Sequence, residues 1–154
     1  MANYYADTSV LVKRHVPEIG SVWVQTLTAP ATGNAIVTAY LSLVELYSAL
    51  NRRVRENSIS LSDYTNIGAD LSVIFSSQYG IIPLIPIVVN DAKDLLERHP
   101  LRAYDAVQLA SALYTRRSLQ AAGRTAPIFL SADTRLLVAA QAEGLMTDNP
   151  NLHP

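Results

Sequence analysis

Residues 3–16, NYYADTSVLVKRHV, change character half-way. NYYA reads as a short strand, and SVLVKRHV reads as a helix. Between them stand Asp7, Thr8 and Ser9, a carboxylate and two hydroxyls at the end of the first strand. The same order returns near the end of the chain. IFLSA (128–132) is a short apolar strand, and DTRLLVAAQAEG (133–144) is a helix opened by Asp133 and stopped by Gly144. Two strand–acid–helix junctions predict a parallel sheet, with both acids beyond the carboxyl ends of its strands, where ligands bind in such sheets.

The stretches between the junctions continue the alternation. Residues 19–29 have near-helical apolar spacing, PATGN (30–34) is a loop by composition, and AIVT (35–38) is a strand. YLSLVELYSALNRRVRE (40–56) is a long helix with a basic end. DYTNIGADLSVIFSSQYG (63–80) is a helix closed by Gly80, and IIPLIP (81–86) is a short or edge strand because of its prolines. NDAKDLLERH (90–99) is a helix capped by Asn90 or Asp91. PLRAYDAVQLASALYTRRSLQ (100–120) is a longer helix that starts near Pro100 or Leu101, and LMTDNPNLHP (145–154) trails off after one last strand. The expectation is a single α/β domain over 1–154, with a compact core of about 2–148 and a short tail.

Bulk properties bound the function. The chain is 49% hydrophobic and 16% charged, which excludes disorder. Without cysteine it builds no disulfide framework or zinc–thiolate site. Its start lacks a signal peptide, and the longest apolar stretch, IIPLIPIVV (81–89), is too short to span a bilayer, so a cytoplasmic, non-membrane protein is expected. The net charge of −1 carries no global mark of a nucleic-acid binder. Setting four acids aside as metal ligands leaves the remainder at +3, and ten of the twelve basic residues are Arg, the side chain suited to forked phosphate contacts.

Four acids carry the chemical signal, and each has a structural alternative. Asp7 and Asp133 are each placed to cap a helix. Glu45 lies in YLSLVELYSAL, where Ser42 and Glu45 fit a capping box. Asp105 lies within the helical pattern LRAYDAVQLASAL, on or beside its apolar face, with Arg102 three residues earlier as a salt-bridge partner. Taken together, two acids after strands and two on apolar helix faces can converge at one end of a parallel sheet. Clustered carboxylates repel, and a hard divalent cation such as Mg²⁺ or Mn²⁺ resolves the conflict. Such a site suits attack of water on a phosphodiester. Arg14 and Arg102 are the leading phosphate-contact candidates, each set against the reading of a solvated helix end.

These segments resemble PIN-domain ribonucleases, and among them the VapC-type toxins of toxin–antitoxin pairs. ADTSVLVKRHVPEIGS, LSLVELYSAL, LRAYDAVQLASAL and IFLSADTRLLVAAQAEGL are similar to the four family motifs, in order and over nearly the full length. The resemblance implies an α/β/α sandwich with a short, mostly parallel sheet and Mg²⁺- or Mn²⁺-dependent endoribonuclease activity on RNA. It also implies a homodimer and a small antitoxin, which could insert a basic side chain into the acidic pocket. Asp7, Glu45, Asp105 and Asp133 would be the catalytic metal acids. Thr8, Ser9 and Ser131 would be hydroxyls positioning carboxylates or metal-bound water. Arg135 stands where some relatives carry a further acid, and Gln108 where some carry His; the latter reads as tolerated variation. The helices with Trp23 and DYTNIGADLSVIF are candidate partner surfaces, with core packing as the alternative. The rival readings are an aspartyl-phosphate enzyme with Asp7 as nucleophile, an RNA-processing nuclease without an antitoxin, and a domain that binds without cleaving.

Overall fold

A computed structural model describes residues 1–154. The strands are β1 (Asn3–Ala6), β2 (Ala35–Ala39), β3 (Tyr79–Ile82), β4 (Ile128–Leu130) and β5 (Met146–Asp148). They form one sheet in the order β3-β2-β1-β4-β5, and all four ladders are parallel. The chain builds outward from β1 to β3, then crosses back to place β4 on the other side of β1. The topological switch point therefore lies between β1 and β4, beyond whose carboxyl ends ligands bind in open sheets of this kind.

Alternation along the strands fills both faces. Tyr5 and Phe129, paired in register, stack with ring centres 5.6 Å apart on the face covered by α5 (Pro86–Arg98), α6 (Ala103–Ala121) and α7 (Thr134–Ala142). Their neighbours Ala6 and Leu130 point to the opposite face. That face is covered by α1 (Thr8–His15), α2 (Ser21–Thr28), α3 (Leu41–Arg55) and α4 (Leu61–Ser77). The result is a three-layer α/β/α fold. No helix is long and apolar enough to cross a membrane.

Three sequence expectations shift. Gly80 does not close α4; the helix ends at Ser77, and Gly80 is the second residue of edge strand β3. A Cβ there would stand 3.2 Å from Val37 Cγ2 on β2, so the missing side chain serves close strand packing. Helix α5 begins at Pro86, ahead of Asn90, because proline at the first helical position is pre-set for a helix and gives up only an N–H that would have no partner. Asp105 is not in mid-helix. Pro100 and Leu101 stay outside α6, Arg102 is its N-cap, and Asp105 falls in the first turn, where a carboxylate faces the positive end of the helix dipole.

The C-terminal residues pack instead of trailing. Pro150–Leu152 form a 3₁₀ turn with Pro150 buried, and the His153 ring stacks on Trp23 at 4.2 Å. Trp23 is thus covered by the chain's own tail. Gly20, the N-cap of α2, has φ +83°, and a Cβ there would sit 2.1 Å from the Pro150 carbonyl oxygen. Gly20→Ala therefore combines left-handed backbone strain with a backbone clash. It is expected to cost about 2 kcal/mol or more, read as a lowered midpoint in chemical denaturation. An unchanged midpoint would show that the tail does not pack on α2 in solution.

Candidate metal centre at the sheet switch point

Asp7 follows β1 and caps α1, and its carboxylate holds the two central strand ends together. Ser9 donates to Oδ1 at 2.6 Å, Val10 N–H to the same oxygen at 3.3 Å, and Ser131 to Oδ2 at 2.7 Å. Both serines are themselves fixed. Ala132 N–H donates to Ser9 Oγ at 2.9 Å, and Asp133 N–H donates to Ser131 Oγ at 3.0 Å. The backbone closes the same seam, with Asp7 N–H donating to Leu130 O at 3.1 Å.

Asp133 caps α7, its Oδ1 accepting from Arg135 N–H at 2.9 Å and Leu136 N–H at 3.3 Å. The capping alternatives for Asp7 and Asp133 are therefore real. They occupy Oδ1 in each case and do not exclude a second role. The capping box at Glu45 does not form. Tyr40 is the N-cap of α3, while Ser42 is a buried helix residue whose hydroxyl bonds Thr38 Oγ1 at 2.7 Å.

Glu45 reaches instead toward α6. Gln108 Nε2 donates to Glu45 Oε1 at 3.0 Å, to Ser42 Oγ at 2.9 Å and, longest, to Thr8 Oγ1 at 3.3 Å. Its Oε1 accepts from the buried Tyr5 hydroxyl at 2.8 Å. Gln108 thus ties β1, α1, α3 and α6 together, far more than tolerated variation implies. Its one sequence signal was its place one helical turn after Asp105. An amide suits the position because it donates to a carboxylate and accepts from a phenol at the same time.

The electrostatics link the acids in a row. Burial pushes the Asp7 carboxyl up from its usual 3.8 to about 6; the Ser9, Ser131 and Val10 hydrogen bonds oppose this, and Glu45 adds to it. Burial also raises Glu45, against Gln108 and Thr8, with Asp105 adding repulsion. Asp105 is raised by burial and by Asp133, and is eased by Arg102 and Arg135. Each acid feels the next, yet no three carboxylates are grouped so as to hold one ion. A calcium or structural-zinc cage, which needs many protein ligands at once, does not fit this row. Mg²⁺ and Mn²⁺ fit its chemistry: they take oxygen donors, and Mg²⁺ keeps several waters and is bound by one or two carboxylates plus substrate phosphate.

The arginines divide. Arg102 lies close enough to Asp105 to ease its charge. Arg14 faces elsewhere, donating to Tyr79 Oη at 3.0 Å and Gln78 Oε1 at 2.7 Å and lying over the Tyr79 ring. It lines a separate hollow with His15 and Asp70, not the cleft beside the acids. Arg135 supplies positive charge to Asp105.

A PIN-domain family model matches residues 4–142. The chain belongs to the PIN-domain family. Its fold is similar to a chain of a toxin–antitoxin complex from Klebsiella pneumoniae, with TM-score 0.61 and 16% identity over 96% of this chain and 97% of that one. It is equally similar to a chain of VapBC2 from Rickettsia felis bound to a promoter DNA fragment, again with TM-score 0.61 and 16% identity, covering 96% and 98%. No curated protein matches the chain.

The raised Asp7 pKa has a sign. The folded state holds the proton more tightly than the unfolded chain, so this PIN domain gains stability from Asp7 below pH 3.8 and loses it as the pH rises through about 6. A rise from 3.8 to about 6 corresponds to about 3 kcal/mol. In EDTA, Asp7→Asn, which preserves the cap, is expected to be more stable than wild type by up to about 3 kcal/mol at pH 8, with the gap closing toward pH 4. Urea denaturation across that range measures it, and a gap that widens toward pH 4 would contradict the assignment. Gln108→Leu strands the Tyr5 hydroxyl and strips Glu45 of a donor. A loss of about 1–3 kcal/mol is expected in the same assay, and Gln108→Leu as stable as wild type would refute the role of the network.

Proposed function

We propose that this PIN domain is a divalent-metal-dependent endoribonuclease, the toxin of a VapBC-type toxin–antitoxin pair. One observation carries the reading. Asp7, Glu45 and Asp105 are each held above their ordinary pKa with a neighbouring acid among the causes: Glu45 acts on Asp7, Asp105 on Glu45, and Asp133 on Asp105. Such a row costs stability unless a cation shares it.

In this reading Asp7, Glu45 and Asp105 would share a Mg²⁺ or Mn²⁺ ion, one or two of them directly and the rest through its waters, and Asp133, whose Oδ1 caps α7, would offer its other oxygen to water or to a weaker second ion. When bound, the ion polarises the phosphate and lowers the pKa of water. The chain's own task is orientation. Ser9 and Ser131 fix the Asp7 carboxylate from both sides, and Gln108 and Thr8 fix Glu45. Arg102 and Arg135 supply cationic charge next to Asp105, where a phosphodiester would bring its own negative charge. The aspartyl-phosphate reading is disfavoured because Ser9 stands two residues after Asp7 where such phosphatases carry a second Asp, and no Lys follows Lys93. The likeness of fold to toxin–antitoxin structures supports an antitoxin partner, and the family resemblance supports a homodimer.

The test is cleavage of a mixed RNA pool by purified protein in Mg²⁺, Mn²⁺ or EDTA, together with thermal melts. Cleavage is expected with metal only, and Asp105→Asn and Glu45→Gln are expected to reduce it at least about a hundredfold while remaining folded. Mn²⁺ at a hundred times its Kd is expected to stabilise wild type by about 2.7 kcal/mol, and Asp105→Asn by much less. No cleavage together with no metal effect on melting would sink the proposal and leave a domain that binds without cleaving.

A further inference from the structure

A cleft of about 530 Å³ opens at Glu45, the one acid of the row in its lining, and runs from Ser9 and Tyr104 along α1 and α3 to Arg52. The volume falls in the range of ligand sites. Its three cations have different fates. Lys13 is buried, with Nζ on Glu18 Oε2 at 3.2 Å and on the Ile19 carbonyl at 2.9 Å. Arg53 pairs with the other Glu18 oxygen. One carboxylate thus consumes both, and their charge is spent on holding the α1–α2 loop against α3.

Arg52 is exposed and its side chain has neither an ion pair nor a hydrogen bond, although it lines the same cleft. The role of a solvated cation complementing the α3 dipole is already filled by Arg55 in the same last turn. It lies seven residues further along the helix than Glu45, about 10 Å at 1.5 Å per residue. A single strand with one phosphate at the acids can therefore lay a nearby phosphate of the same strand at Arg52. At the acid end stands Tyr104, 50% exposed and one residue before Asp105, with Val44, 60% exposed, also in the lining. An unsatisfied aromatic face beside the reaction centre is a stacking platform for a splayed base.

We propose that this cleft is a track for single-stranded RNA, with Arg52 taking a backbone phosphate and Tyr104 stacking on the base next to the acids. The proposal rests on the nuclease reading for its substrate class and assigns that substrate a direction, along α3. A duplex is excluded by the platform, since its bases are already stacked on each other.

Binding of a fluorescein-labelled eight-nucleotide RNA pool is measured by anisotropy in Mg²⁺, in the Asp105→Asn background so that the RNA stays intact, across a salt series. Single strands are expected to bind at least tenfold more tightly than the same sequences annealed. Arg52→Ala is expected to weaken binding about tenfold and to flatten the salt dependence by about 0.7 in log–log slope, one phosphate contact on a single strand. Tyr104→Ala is expected to weaken it about tenfold with the slope unchanged, and Tyr104→Phe to restore it. Both positions are exposed, so circular dichroism is expected to match the parent. Wild-type affinity in both variants overturns the track, and if wild type still cleaves RNA the nuclease reading survives without it. Loss of binding in both variants with no cleavage by wild type in any metal keeps the track and removes the nuclease. Preference for duplex overturns the stacking platform outright.

Discussion

The carboxylate of Asp7 is the point on which this molecule turns. It is 6% exposed, charged at neutral pH only against the pull of burial, and held by serines from two segments far apart in the chain. It joins the ends of β1 and β4, the two strands that face each other across the topological switch. If Asp7 is moved, the junction of the sheet and one end of the acid row move with it. The hydrogen bonds that make it tolerable in the interior are also those that aim it, so its cost to stability and its readiness for a cation have one origin.

Around that point the polar interior is organised in two separate nets. One is the serine net on Asp7, which belongs to the strand ends. The other is centred on Gln108, which links the Tyr5 phenol under the sheet to Glu45 above it. Neither net contains a cation. The positive charges, Arg102, Arg135 and the Arg52 end of the cleft, stand outside. That separation leaves the carboxylates unpaired by any internal salt bridge. A row of acids neutralised by internal arginines would be more stable and would have less to offer a metal.

The strand–acid–helix junctions at Asp7 and Asp133 were legible because the apolar run, the cap and the helical period all change within three residues. The parallel α/β class followed from the alternation, and its family from the four motifs in order. What escaped the sequence has local causes. PLIPIVV (83–89) satisfies both a buried strand and the first turns of a helix, and only the proline at the first helical position decides it. Gly80 resembles a helix stop because glycine serves as well in a crowded strand as in a cap. Asp105 reads as an acid inside a helix because nothing in PLRA marks the helix start, and Arg102 caps it without a side-chain bond. Arg14 looked close to the site because it is close in sequence, yet it lies two helical turns from Asp7, at the far end of α1. Gln108 was undervalued because its importance lies in four contacts that are 63 to 103 residues away along the chain.

The span of those contacts bears on how the molecule comes into being. The hydrogen bond from Ser131 to Asp7 closes 124 residues, and β1 cannot gain its second neighbour until β4 exists. Closing so long a loop is entropically costly and slow compared with forming local helices. During synthesis the first three acids emerge well before the segment that locks Asp7 in place. A growing chain therefore carries the ligands without the site. Whatever chemistry the acid row performs is therefore withheld until the segment carrying Ser131 and Asp133 has been made and folded onto the first strand.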